Sequence, residues 1–165
     1  MSKIRVVAAV AVLVVAGFAW VSAQGGGGSG ALTGQDYGEI EMLYARYSQG
    51  SDFRDGELFV SAFSDDATIV RADGSSIQGM PALVAERKER NEGQSGDTGR
   101  RHRTGSYLIT PTDEGATGRA YYVLLDVTKR PAATVATGYY DDVFVRTSNG
   151  WRIKHRTINR DMSTE

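Results

Sequence analysis

The chain predicts an α+β fold, with helices first and a sheet after them. Three observations carry this expectation. Ile40, Leu43, Tyr44 and Tyr47 recur at i, i+3, i+4 and i+7, the repeat of a single helix face. Beyond residue 100, four segments (102–110, 118–128, 135–146 and 150–159) are rich in Val, Ile, Tyr and Thr, residues that suit strands. Between the last two lies Thr147-Ser148-Asn149-Gly150, whose Asn-Gly end suits a tight hairpin turn.

The elements follow in order. Residues 33–49 read as the first helix, with Gly50 as its stop. Residues 55–63 read as a second, short helix with Leu58, Phe59, Ala62 and Phe63 on one face. Residues 67–71 form a short strand, Asp73-Gly74-Ser75 a turn, and the chain is extended again near Ile77. Pro81 suits the first turn of a third helix that runs to about Arg90. Residues 91–100 are polar and Gly-rich, a loop expected to be mobile. The predicted architecture is a curved antiparallel sheet wrapped on the N-terminal helices, without internal repeats.

The 165 residues are 41% apolar and 24% charged, enough for one domain with its own core. A net charge of −1 argues against a nucleic-acid partner. The lack of cysteine excludes disulfides, a thiol nucleophile and Cys-ligated zinc or iron–sulfur centres. With His102 and His155 the only histidines, a His-rich metal cluster is excluded too. No phosphate loop, dinucleotide fingerprint or nucleophile elbow occurs, so neither metal nor cofactor is expected.

Lys3 and Arg5 precede an apolar run over residues 6–21, and Val21-Ser22-Ala23 supplies small residues for cleavage. This is the layout of a secretory signal peptide over residues 1–23. The run is shorter than the roughly 20 residues of a spanning helix. Residues 24–31 form a flexible Gly/Ser linker and residues 32–165 the folded domain. The expected location is periplasmic or secreted, with no stable membrane span after processing.

Several motifs then carry a resemblance. These are Leu43-Tyr44-Ala45-Arg46-Tyr47 with Asp52 following, Phe63-Ser64-Asp65-Asp66-Ala67, Gly79, and Arg101-His102. The fullest segment runs from Gly138-Tyr139-Tyr140-Asp141-Asp142 through Gly150-Trp151-Arg152-Ile153 to Arg156. In this order and spacing the chain resembles the SnoaL-like branch of the nuclear transport factor 2-like superfamily over residues 33–160. The resemblance implies a cone, a bent sheet around helices enclosing an apolar pocket. It also implies a homodimer or homotrimer paired through the sheet. Members include scytalone dehydratase, bile-acid dehydratase and ketosteroid isomerase, and others are non-catalytic.

The resemblance places Tyr47, Asp52 and His102 at the pocket as catalytic residues. Their chemistry is coherent. An Asp bonded to one imidazole nitrogen fixes the tautomer and raises the basicity of the other, and a Tyr hydroxyl stabilises charge developing on oxygen. On a continuous helix Tyr47 and Asp52 would stand about 140° apart, so convergence calls for a helix break at Gln49-Gly50-Ser51. Each residue also has a plainer reading: Tyr47 as core, Asp52 as a polar helix end, His102 as part of a solvated basic run.

Arg156, Asp126, Tyr140 and His155 are the candidates for substrate binding. Tyr122, Leu124 and Asp126 share a face by alternation. His155 shares a face with Trp151 and Ile153 unless a one-residue bulge exchanges it for Arg156. Arg100, Arg101, Arg103, Arg152, Lys154 and Arg156 make either a positive rim or scattered charges balanced by Asp141 and Asp142. Two positions depart from the family pattern. The region of a second pocket histidine holds Val127, and Ser106 stands where many relatives carry Asn.

The expected function is an exported, cofactor-independent lyase or isomerase of dehydratase type. Its substrate would be a hydrophobic cyclic or aromatic alcohol or carbonyl, with retro-aldol C–C cleavage a variant on the same base. The rival expectations are a non-catalytic pocket for an apolar ligand and an interaction module.

Overall fold

The computed structural model describes residues 30–161. The apolar run, the cleavage site and most of the Gly/Ser linker lie outside them. The elements are α1 (Gly34–Asp52), α2 (Gly56–Val60), β1 (Phe63–Val70), β2 (Ser76–Gln78), α3 (Met80–Arg90), β3 (Arg100–Thr112), β4 (Gly115–Asp126), β5 (Ala133–Thr147) and β6 (Gly150–Arg160). The six strands form one sheet in the order β2-β1-β6-β5-β4-β3. No helix among the described residues is long and apolar enough to cross a membrane.

Helices and sheet meet through the predicted stripe. Ile40, Leu43, Tyr44 and Tyr47 are all buried, and they share a core with Phe59, Phe63, Leu83, Phe144, Trp151 and Ile153. Burying such large side chains is the main favourable term in folding, roughly 1.5–3 kcal/mol each.

Three expectations are corrected. The first concerns Gly50, which does not stop α1. The helix continues to Asp52, and Gly50 is buried inside it. A Cβ there would lie 2.5 Å from the Phe59 backbone nitrogen, so the glycine allows α2 to dock against α1. The second concerns Phe63, which belongs to β1 rather than to the second helix. It pairs with Ile153, and the Ile153 N–H donates to the Ala62 carbonyl at 2.9 Å. This tertiary pairing overrides the local helical pattern. Third, the sheet is not wholly antiparallel, because β1 runs parallel to β6. Such a pair cannot close through a hairpin, and here the long connection carries α3 and the β3–β5 meander.

The start of α1 is fastened to the hairpin end of the sheet by one carboxylate. Thr33 caps the helix in a capping box with Asp36. Asp36 is only 4% exposed. It accepts hydrogen bonds from Trp151 Nε1 at 2.8 Å, from the Thr33 N–H at 2.8 Å and from the Arg146 guanidinium. The Trp151 bond, then those from Thr33, hold its pKa well below the usual carboxylate range.

A carboxylate with a depressed folded pKa stabilises the fold above its ordinary pKa, and that contribution fades as pH falls below it. Urea unfolding at neutral pH is therefore expected to show Asp36→Asn less stable by about 1–3 kcal/mol. The gap should narrow steadily as pH falls below about 5, where the unfolded chain takes up a proton at this carboxylate that the folded protein resists. A gap independent of pH would show that the charge is not what matters.

Candidate functional site

A cavity of about 660 Å³ lies against the sheet and is lined by residues from Tyr47 on α1 to Arg160 on β6. Its apolar wall includes Phe59, Ile69, Leu124, Ala136 and Ile158, and its polar wall includes Tyr47, Asp52, His102, Tyr122 and Tyr140. A second groove of about 710 Å³, between α2 and α3, is lined by Val60, Val84 and exposed charged side chains and contains none of the predicted site residues.

Asp52 and His102 meet inside the first cavity. Asp52 Oδ1 lies 2.6 Å from His102 Nδ1, and Asp52 Oδ2 accepts the His102 backbone N–H at 2.8 Å. The carboxylate thus grips both the ring and the strand that carries it. This fixes Nδ1 as the bonded nitrogen and leaves Nε2 without a protein partner among the described residues. Asp52 is 3% exposed.

Tyr47 stands edge-on to His102 with ring centroids 6.0 Å apart. No helix break was needed to gather the three. The start of β3 passes the C-terminal end of α1, so His102 reaches Asp52 at the last helical residue and Tyr47 more than a turn earlier. Tyr47 is both core and cavity wall, at 8% exposure.

The segment 138–142 explains itself through alternation. Its inward positions are Gly138, Tyr140 and Asp142. A Cβ on Gly138 would strike the Tyr122 ring at 2.9 Å, so the glycine gives that ring its seat. Tyr122 then stacks on Tyr140 with centroids 4.7 Å apart. Burial raises the pKa of both hydroxyls, which keeps them protonated as donors.

Asp142 takes Arg156 in a bidentate pair, Nε to Oδ1 and Nη2 to Oδ2 at 2.8 Å each. Both side chains are wholly buried. The guanidinium lies over the rings of Tyr140, Tyr47 and Tyr44 at 4.2, 4.4 and 5.0 Å. Arg156 therefore sits behind the tyrosines rather than on the cavity wall.

A bulge decides between Arg156 and His155. Val143 pairs with His155 but Phe144 pairs with Ile153, so Lys154 is the extra residue of β6. Trp151 and Ile153 face the core before it, and Arg156 and Ile158 after it. His155 is turned to the opposite face, where its Nε2 lies 3.2 Å from the Thr157 hydroxyl.

Asp126 also stands off the cavity wall. β4 ends at this residue, and its carboxylate caps the next turn through the Thr128 N–H at 3.0 Å and the Thr128 hydroxyl. Ser106 is exposed at a bulge in β3 with φ 54°.

The basic rim differs from the one expected. Of the six residues named from sequence, only Arg100 lines the cavity, joined by Arg54, Arg71, Arg87, Arg90 and Arg160. Arg54 also ties down the Gly-rich loop, donating to Gln94 Oε1 at 2.7 Å and to the Asp97 and Gly96 carbonyls at 3.1 and 3.2 Å. The Thr98 N–H bonds the Asp52 carbonyl at 2.8 Å, so the loop is anchored next to the dyad.

A bent six-stranded sheet closed over N-terminal helices around a cavity is the cystatin-like, or nuclear transport factor 2-like, architecture. The SnoaL-like domain family matches residues 33–157, and the chain belongs to it. A protein of unknown function from Nostoc punctiforme with a cystatin-like fold is 22% identical with a TM-score of 0.69, over 80% of this chain and 96% of that one. A Mycobacterium tuberculosis protein of unknown function is 28% identical with a TM-score of 0.64, over 74% of each chain. A candidate scytalone dehydratase from Novosphingobium aromaticivorans is 20% identical with a TM-score of 0.60, over 75% of this chain and 83% of that one. No curated protein sequence matches this chain.

Because Arg156 is wholly buried and bound to Asp142, truncating it strands a carboxylate without water. Arg156→Ala is expected to cost about 3–5 kcal/mol in urea unfolding. An Arg156→Ala protein as stable as the parent would remove the buried pair from the account of the fold.

Proposed function

We propose that the protein is an exported, cofactor-independent lyase or isomerase of dehydratase type. Its substrate is a hydrophobic cyclic or aromatic alcohol or carbonyl compound. The observation that carries this reading is the 2.6 Å contact between Asp52 and His102 within a cavity of mixed tyrosine and apolar walls. A passive apolar pocket has no need of an imidazole held by a carboxylate and left open at Nε2.

In the proposed reaction Nε2 of His102 removes a proton from the carbon beside a carbonyl or a ring-activated centre. The electron pair left behind forms the new double bond as the neighbouring C–O bond breaks. The departing hydroxyl takes the proton back from the imidazolium and leaves as water. Asp52 stabilises that imidazolium, and the hydroxyls of Tyr47 and Tyr140 bond the substrate oxygen on which charge grows. Retro-aldol cleavage uses the same base, with the proton taken from a hydroxyl. Its O–H pair forms the new carbonyl as the C–C bond breaks. The departing carbon, left with the C–C pair as an enolate, takes the proton back from the imidazolium.

The likeness to a candidate scytalone dehydratase agrees with this class and brings no substrate with it. Export rests on Lys3, Arg5, the apolar run 6–21 and Val21-Ser22-Ala23. Leu108, Tyr121 and Val143 are exposed on the outward sheet face, which favours a homodimer or homotrimer paired there.

The test is turnover of a panel of hydroxylated aromatic and steroid-like compounds by the parent protein and two variants. His102→Ala should lose about 10²–10⁴-fold in rate while still binding the compound, and Asp52→Asn should fall in the same direction. Undiminished turnover in His102→Ala would remove the imidazole from the mechanism.

A further inference from the structure

We infer that the cavity recognises a ring-bearing organic oxyanion, with the anionic group held by Arg71, Arg87 and Arg90 and the ring seated towards Tyr122 and Tyr140. This deepens the proposed function and rests on its reading of the cavity as a substrate pocket.

The starting observation is a charge imbalance on one wall. Arg71, the residue after β1, and Arg87 and Arg90, from the last turn of α3, all converge on Glu86. Its Oε1 accepts from Arg71 Nη2 at 2.7 Å, Arg87 Nη2 at 2.8 Å and Arg90 Nε at 2.8 Å, while its Oε2 accepts from Arg87 Nε. One carboxylate therefore serves three guanidinium groups, and all three border the cavity. Arg54, Arg100 and Arg160 border it as well. The lining acids are Asp52 and Asp73, and even with Glu86, Asp126 and Asp161 beside them the six guanidinium groups outnumber the acids. Asp97 does not redress this, because Arg101 holds it in a bidentate pair.

Arg87 and Arg90 alone would suit the negative end of the α3 dipole. Arg71 comes from another element and has no such task. Arg71 Nε and Nη1 and Arg90 Nη1 lack protein partners among the described residues. Guanidinium edges left open around a shared carboxylate are suited to the oxygens of a second oxyanion. The side chains of Arg71 and Arg90 are 32% and 56% exposed, whereas Tyr140 and Tyr122 are 1% and 6% exposed. That gradient orients the ligand, with its charge at the open side and its ring inside. Arg87, lying over the Phe59 ring at 4.1 Å, joins the two zones.

The test compares two fluorescent probes with one ring system, 8-anilinonaphthalene-1-sulfonate and uncharged N-phenyl-1-naphthylamine. The sulfonate should bind the parent protein about tenfold more tightly than the neutral probe. Its affinity should fall as salt rises from about 0.01 M to 1 M, where the Debye length shrinks from ~30 to ~3 Å. The double variant Arg71→Ala/Arg90→Ala, with folding checked by its melting curve, should weaken the sulfonate about tenfold and leave the neutral probe unchanged. Glu86→Gln should tighten the sulfonate.

Equal affinity for both probes, or sulfonate binding indifferent to salt and to the arginines, overturns the inference, as does a failure of the sulfonate to bind. Neither readout uses His102. If the sulfonate responses appear while His102→Ala keeps full turnover, the dyad reading fails and the anion site stands. If His102→Ala loses turnover and the arginines give no response, the anion site fails and the dyad stands.

Discussion

The buried pair of Arg156 and Asp142 is the constraint on which the rest of the site is built. Neither side chain touches solvent, and the guanidinium Nη1 has no hydrogen-bond partner among the described residues. Desolvating such a pair costs several kcal/mol per ion, so it adds little net stability over an apolar pair of the same size. Its value is as a penalty on the alternatives. A slip of one residue between β5 and β6 would turn one partner outwards and strand the other charge in the core. The faces of Tyr44, Tyr47 and Tyr140 then pack on the cation, and two of those rings form the cavity wall. The geometry of the proposed substrate pocket is thus inherited from an ion pair that meets no substrate.

The same register explains the bulge at Lys154. Strict alternation after Ile153 would bring His155 inwards and expel Arg156. The extra residue reverses this, and Lys154 itself projects into water. The cavity receives one histidine, not two, and that histidine comes from β3.

Local signals were legible and tertiary ones were not. The stripe at Ile40, Leu43, Tyr44 and Tyr47, the Pro81 start of α3 and the Asn149-Gly150 turn all rest on spacing within one element. The start of β1 at Phe63 depends on its pairing with Ile153, far along the chain. Gly50 carries the mark of a helix stop, and only the approach of Phe59 shows that it is a contact point. At the site, Asp52, His102, Tyr47 and Tyr140 came from ordered motifs. Arg71, Arg87, Arg90 and Arg160 had no such mark, because an arginine at a turn or a helix end looks the same in sequence whether it faces water or a cavity. Tyr122 could be placed by alternation, but its seat on Gly138 spans two strands.

Asp52 shows how closely the fold and the proposed chemistry are joined. Its carboxylate holds the His102 ring through one oxygen and the His102 backbone through the other. Its carbonyl accepts from Thr98, at the end of the loop that Arg54 clamps. A residue serving only as a partner for the imidazole could sit on any element with reach. Placing it at the last turn of α1 makes the entry of β3, the end of the Gly-rich loop and the open nitrogen of His102 depend on one side chain and its own backbone. Preorganisation follows directly, since the imidazole cannot turn without breaking contacts that also hold the strand in place.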